Sequence, residues 1–284
     1  MAILSEINVY PIKSCGGISL MQADIGELGL MFDRHWMLVD ADGQFLTQRS
    51  VPQMACITPA LTASHLIVSA PGMADLHVAH GELSGAPLQI QVWKDSFIAL
   101  DQGDEASAWF SAYLKTEVRL VRFDPAVHRA CSADWTSGFD AGTQFSDGFP
   151  LLVIGEASLQ ELNGRLQAKG APALPMNRFR PNLVLSGLEA YEEDFIDTIS
   201  FGDGPQALQI KLVKPCARCP VPGIDQRSGL RDPQWPNEPL DTMAAYRANQ
   251  RVGGGLCFGQ NSIVIAGVGS RIRAGQEFVY ELNF

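Results

Sequence analysis

Short apolar runs recur about every ten residues through the first third of the chain, each closed by turn-forming residues. Residues 2–12 alternate towards Tyr10-Pro11 and read as a strand that ends at the proline. A second run covers 18–25, after the turn Lys13-Ser-Cys-Gly-Gly17. Runs 32–40 and 44–49 flank Asp42-Gly43, a hairpin signal. Further short strands are expected at 65–69, 75–78, 87–93 and 96–101. That rhythm restricts the first part of the chain to a small β-barrel or sandwich. A helix is expected from Glu105 to Leu114, with Trp109, Phe110, Tyr113 and Leu114 on one face, followed by a strand at 118–123.

The stretch 124–147 is polar and irregular, so we place a domain junction there, giving domains 1–123 and 124–284. The second half opens with a buried-looking strand at 150–154. A helix follows from about Ser158, where Ser158-Leu-Gln-Glu161 reads as a capping box, and Gly170 stops it. Strands are expected at 182–185, 208–213, 263–266 and 277–282, with a helix at 240–248. The 27 glycines and 17 prolines agree with many turns. The fold class expected is mixed α+β and β-rich.

A net charge of −10 disfavours nucleic acid and anionic membrane surfaces as partners, so an anion site has to be a local exception. The first residues show neither a basic segment nor an apolar core of a signal peptide, and no apolar run reaches the ~18 residues of a membrane span. The six cysteines are scattered, which reads as reduced thiols and a cytoplasmic location.

The most reactive group stands in Lys214-Pro-Cys-Ala-Arg-Cys-Pro-Val-Pro-Gly-Ile-Asp225. Pro215, Pro220 and Pro222 are expected to end the preceding strand and to present Cys216, Arg218 and Cys219 on a stiff loop. Such a loop suits a metal ligand, but three readings remain open. Zinc wants a second ligand pair, and only Cys257 is near, with no histidine beyond His128. A thioredoxin-type pair wants a helix after its first cysteine, which the prolines deny. Two small buried thiols are the third reading, against which Lys214 and Arg218 would favour a thiolate.

Basic residues also fall at turns: Lys13 beside Ser14, Arg34, and the pair Arg178 and Arg180 before Pro181. Guanidinium forks suit phosphate and planar heterocycles. Phe145-Ser-Asp-Gly-Phe-Pro150 reads as a turn before a strand. The sequence has no phosphate-binding P-loop, no G-x-G-x-x-G and no G-x-S-x-G elbow.

In order along the chain, Tyr10-Pro-Ile-Lys-Ser-Cys15, Asp33-Arg-His-Trp36, Phe45-Leu-Thr-Gln-Arg49, Phe145-Ser-Asp147, Arg178-Phe-Arg-Pro-Asn182, Cys216-Ala-Arg-Cys219 and Phe258-Gly-Gln260 resemble the MOSC proteins. The subgroup resembled has a preceding β-barrel domain and includes the mitochondrial amidoxime-reducing component. The resemblance implies an N-terminal MOSC β-barrel domain followed by a MOSC-type barrel with peripheral helices. It implies a mononuclear molybdenum cofactor, a pyranopterin dithiolene, whose metal takes one protein thiolate, here Cys219. Carried over by motif, the cofactor contacts are Lys13, Ser14 and Arg34 from the first domain. Ser146, Asp147, Gly148, Arg180, Ala217, Arg218 and Asn261 come from the second. The family often has a hydroxyl residue where Ala217 stands, so a backbone contact is expected there; it can carry an aromatic at the position of Asn261.

The activity implied is reduction of N-hydroxylated compounds: hydroxylamines, amidoximes or N-hydroxylated base analogues. Some bacterial relatives carry a ferredoxin-type domain with four cysteines after the MOSC domain. Here Cys257 is the last thiol, so electrons are expected from a separate flavin or iron–sulfur protein. Two other roles stand beside this one: sulfur transfer through a persulfide on Cys219 or Cys216, and non-enzymatic cofactor binding.

Overall fold

The computed structural model describes residues 1–81, 83–204 and 206–283. Along the first part run β1 (Ile3–Val9), β2 (Ile18–Leu20), β3 (Gln22–Gly26), β4 (Gly29–Leu30) and β5 (Trp36–Val39). Then come β6 (Thr58–Leu61), β7 (His65–Ser69), β8 (Leu76–Ala79), β9 (Ala86–Val92), β10 (Asp95–Asp101), α1 (Asp104–Leu114) and β11 (Arg119–Arg122). The second part holds β12 (Leu151–Gly155), α2 (Glu156–Ala168), β13 (Leu183–Ser186), β14 (Ile196–Phe201) and β15 (Leu208–Ala217). It ends with α3 (Leu240–Met243), β16 (Ala248–Asn249), β17 (Gly255–Ala266), β18 (Arg271–Arg273), β19 (Gln276–Glu277) and β20 (Val279–Leu282). The fold is β-rich and mixed α+β, as its sequence pattern implies.

Two of the smaller sheets sandwich α1. Strands β5, β11, β10 and β9 form one; β6, β7 and β8 form the other. Between them Phe110 and Leu114 of α1 pack on Trp36, Leu38, Leu66 and Val78. The opposite face of β5 buries Met37 and Val39 against Ile90, Val92, Val121 and Phe145. All four residues of β5 are therefore buried, which a strand covered on both faces requires.

The largest sheet runs β19-β1-β13-β12-β17-β15-β14-β20, with β2 on β1 and β16 on β17. Only β12 and β13 pair in parallel, joined by the crossover through α2, and every other pairing named for this sheet is antiparallel. Alternate residues of β12 face two cores: Leu151 and Val153 one, Leu152 and Ile154 the other with Leu159, Leu162 and Leu166 of α2. The two edges of the sheet meet at one segment. β19 pairs with β1 and β20 with β14, with Phe278 between them, so the ladder curls round on itself without becoming continuous.

Hydrogen bonding ties residues on either side of 123/124 together: β1 lies between β13 and β19, and β3 pairs with β18. Several local expectations change. Strand β15 does not stop at Val213 but continues through Pro215 to Ala217. Its register with β17 shifts between Leu212 and Lys214 and again between Pro215 and Ala217, and at such irregularities a proline's missing N–H breaks no regular ladder. The capping box at Ser158 is absent. Helix α2 begins at Glu156, and buried Ser158 donates to Glu193 at 2.7 Å while accepting from the Tyr191 N–H. Gly170, at φ +85°, does end the helix turn. The helix at 240–248 shrinks to α3, and the run 18–25 breaks at Met21. The Asp42-Gly43 turn forms, yet its second arm builds no ladder with β5: Phe45 makes one bridge to Val39, and Gln44 bridges Gln91 of β9. Strand β14 has no counterpart in the sequence reading.

Candidate functional site

A cleft of about 180 Å³ opens where loops from the first part meet strand ends of the second. Every residue carried over by resemblance lines it: Lys13, Ser14, Arg34, Ser146, Asp147, Gly148, Arg180, Ala217, Arg218, Cys219 and Asn261. Lys13 and Ser14 follow β1, and Arg34 precedes β5. Ala217 ends β15, Arg218 and Cys219 follow it, and Asn261 stands mid-way along β17 opposite Lys214.

Tyr10 organises the floor. Its ring is buried, and the guanidinium carbons of Arg34 and Arg180 lie 4.3 Å and 4.2 Å from its centroid. Burial pushes its hydroxyl up to about 12, so it stays a neutral donor to the Pro181 carbonyl at 3.2 Å. Gly17 explains the glycines of its motif, since a Cβ there would come within 2.5 Å of the Tyr10 ring. Arg34 is held by Asp33 at 2.6 and 2.7 Å and by Asn182 at 3.0 Å. Ser14, Arg34 and Arg180 sit at φ +67°, +49° and +59°, a left-handed region that costs non-glycine residues on the order of 1–3 kcal/mol each. Three such residues on one cleft mark a place where the fold maintains unfavourable backbone to aim side chains.

The charge in the cleft is incompletely matched. Arg180 contacts Gln226 at 3.4 Å, but its Nη2 is buried with no hydrogen-bond partner; so is Nε of Arg218. Burial pulls the Arg180 guanidinium down to about 10, a sign of how poorly its charge is solvated. Arg218 donates to the Phe179 carbonyl at 2.7 Å and to Cys216 Sγ at 3.1 Å. Buried guanidinium donors without acceptors, beside a thiol, form a cradle for an anionic, hydrogen-bond-accepting group.

Lys13 is the best-anchored cation. Its ammonium donates to the Phe145 carbonyl at 2.7 Å and to Asp147 Oδ1 at 2.5 Å. Burial lowers Lys13, and Asp147 works against that. At Asp147 burial opposes ionisation, but the Lys13 charge prevails and holds the carboxyl well below the usual range.

The cysteine loop is tied from several sides. Arg178 donates to the Pro222 carbonyl at 3.3 Å and to Asp225 at 2.9 Å; Arg231 donates to the Pro220 carbonyl at 3.0 Å. Arg178 is thus a brace outside the lining of the cleft, unlike its neighbour Arg180. Lys214 sets its ammonium against aromatic rings, 5.2 Å from Trp135 and 5.8 Å from Phe149. Cys219 is half-buried at the cleft wall, and all six cysteines are free. Among the described residues, no group of three or more His, Cys, Asp or Glu could hold a metal ion.

Sequence reasoning missed several lining residues. Thr47, Gln48 and Arg49 lie in a motif already quoted, and Gln48 pairs reciprocally with Gln226 at 2.9 and 3.0 Å. Arg129 had no signal. Buried in the irregular stretch, it binds Asp95 at 2.8 Å and donates to the carbonyls of Gln144, Ser146 and Asp147, fixing the 145–148 loop.

Two domain families match the chain: the MOSC N-terminal beta barrel domain over residues 1–117 and the MOSC domain over residues 140–279. The chain belongs to the MOSC family. It is 34% identical over 252 residues to mitochondrial amidoxime reducing component 2 of Bos taurus, spanning 86% of this chain and 72% of that one. The human protein of the same name is 32% identical with the same coverage. Molybdenum cofactor sulfurase of Arabidopsis thaliana is 31% identical over 90% of this chain but only 32% of its own length.

Proposed function

We propose that the cleft binds a pyranopterin molybdenum cofactor and that the chain reduces N-hydroxylated compounds. One observation carries this reading: a thiol, Cys219, and the guanidinium groups of Arg180 and Arg218, each with a buried donor lacking an acceptor, line one cleft with Lys13, Ser14 and Arg34 from the first part of the chain. The donor set suits that group, because a soft thiolate suits molybdenum and guanidinium forks suit phosphate and pterin edges. Cys219 would hold the metal. Lys13, Arg34, Arg180 and Arg218 would neutralise and bind the anionic and heterocyclic parts. Ser14, Ser146, Asp147, Gly148, Ala217 and Asn261 would complete the enclosure.

The chemistry that the group supplies is a two-electron cleavage of an N–O bond, giving amine and water at the expense of two protons. Tyr10 supports the reading by keeping Arg34 and Arg180 in place, and Asp33 by holding Arg34. Electrons would come from a separate flavin or iron–sulfur protein, and the cytoplasm is the compartment proposed. Among the described residues no helix is long and apolar enough to cross a membrane.

Elemental analysis of wild type and Cys219→Ala is the test. Stoichiometric molybdenum in the first and its loss in the second are expected, with benzamidoxime reduced by the chemically reduced wild type. Retention of metal by Cys219→Ala would overturn the assignment. A sulfur-transfer role is the second reading, favoured by Cys216 sharing the cleft and accepting from Arg218 at 3.1 Å. It predicts cyanolysable sulfur and little molybdenum.

A further inference from the structure

The cations around the cleft differ in what faces them. Lys13 meets Asp147 at 2.5 Å, and Arg34 meets Asp33 at 2.6 and 2.7 Å. Arg178, the brace outside, meets Asp225 at 2.9 Å. Arg180 meets an amide instead. Its Nη1 donates to Gln226 Oε1 at 3.4 Å, and among the described residues no carboxylate pairs with it. Asp33 is near enough to act on its charge, but that carboxylate is bonded to Arg34 and to the Tyr10 N–H. Adjacent residues thus divide the work: the carboxylate of Asp225 serves the brace, and the amide of Gln226 serves the cation of the cleft.

That amide has one orientation open to it. Its Nε2 donates to Gln48 Oε1 at 2.9 Å and to the Ile224 carbonyl at 3.0 Å. Gln48 is fully buried, and its own Nε2 donates to Gln226 Oε1 at 3.0 Å and to the Ser14 carbonyl at 2.7 Å. The Ser14 and Ile224 carbonyls accept and cannot donate, so turning over either amide sets oxygen against oxygen. The two carbonyls therefore fix Gln226 Oε1 towards Arg180, and all four amide N–H groups of the pair are used. Gln48 belongs to the first part of the chain and Gln226 to the loop that follows Cys219, so the pair also ties the two together.

We infer that Gln226 is a positioning residue whose neutrality matters: the amide pair holds the Arg180 guanidinium without neutralising it and leaves its charge for an anionic ligand. The inference deepens the reading above and rests on its premise that Arg180 takes an anionic group. A carboxylate at residue 226 would make a stronger, charge-assisted bond to the same guanidinium. It would then compete with the ligand for Arg180 and repel it as well. With the amide in place, Nη2 of Arg180 stays buried without an acceptor until a ligand supplies one.

Two measurements on the full-length, cofactor-free protein test this. In the first, sulfate, which keeps both its charges on mild acidification, is titrated by calorimetry. Gln226→Glu weakens binding about tenfold or more at neutral pH. Acidification narrows the ratio between wild type and variant, because a protonated glutamate is neutral and offers one donor and an acceptor, as the amide does. Arg180 is the charged group among the hydrogen-bond partners of Gln226, so a loop merely disordered by the substitution would show no such recovery. Sulfate affinity equal to wild type in Gln226→Glu, or a ratio that stays constant on acidification, overturns the inference. The second measurement needs no ligand: the change in melting temperature on Gln226→Glu is compared in wild-type and Arg180→Met backgrounds. The glutamate is tolerated better where Arg180 is present, by about 2 °C or more. Equal changes in the two backgrounds overturn the inference. Failure of wild type to bind sulfate strikes at the premise that the cleft takes an anion, and the melting comparison then still decides what residue 226 does to Arg180.

Discussion

Adding an oxyanion to the cofactor-free protein should raise its melting temperature, through Arg180. Nη2 of Arg180 and Nε of Arg218 are buried without acceptors, and an unmet buried donor costs about 1–3 kcal/mol. An inorganic phosphate that accepts from Arg180 returns that group's share of the cost only in the folded state. At a concentration of about 100 times Kd, binding adds roughly 2.7 kcal/mol to stability. A chain of 284 residues unfolds with an entropy of about 0.6 kcal/mol per kelvin, so the shift is about 4–5 °C. Differential scanning fluorimetry at low ionic strength reads it, with chloride matched because salt screens the cleft. Arg180→Met should abolish the shift. Arg178→Met should keep it, since that guanidinium serves Asp225 and the Pro222 carbonyl outside the cleft lining. Equal phosphate shifts in wild type and Arg180→Met would refute the reasoning, leaving only the general stabilisation that phosphate gives by exclusion from protein surfaces.

Arg129→Ala removes the clamp on the 145–148 loop and leaves Asp95 and several carbonyls without their donor. Urea titration should show a loss of about 3–5 kcal/mol, and phosphate affinity should fall with it. Glu193 is fully buried, bonded to Ser158 and the Gly155 N–H, with no cation among its hydrogen-bond partners. Burial raises its folded-state pKa, so the folded protein holds a proton that the unfolded chain has already released. Stability is then greatest on the acid side of this titration and declines as pH rises past the ordinary glutamate value. Glu193→Gln should flatten that slope and raise the melting temperature at neutral pH; an unchanged pH profile would remove Glu193 from the account.

How much of this was legible in the residues depended on what each one contacts. Strand β7 falls at the expected 65–69 because its burial alternates, and period-two patterning is a local signal. Pro215 misled because the rule against proline in strands assumes a regular ladder, whereas β15 and β17 slip register on both sides of it. Ser158 and Glu161 have the spacing of a cap but spend their groups elsewhere, Ser158 on Glu193 and Glu161 on Arg165. Within the site, the ordered motifs marked Lys13, Arg34, Arg180 and Cys219, yet no periodicity could bring them together. That convergence depends on β1 lying between β13 and β19. Arg129 stayed invisible because it belongs to no motif and acts through backbone carbonyls.

The segment that closes the large sheet has a consequence for the order of assembly. Ile3 finds its partners at Ser186 and Glu277, so a strand synthesised early waits for segments made much later before its hydrogen bonds are met. Pairings of such span make folding slow. Lys13 and Arg34 hang from that waiting strand and its sequel, while Cys219 and Asn261 emerge late. A partly synthesised chain therefore has no competent cleft, and capacity to take up ligand reports that folding has finished.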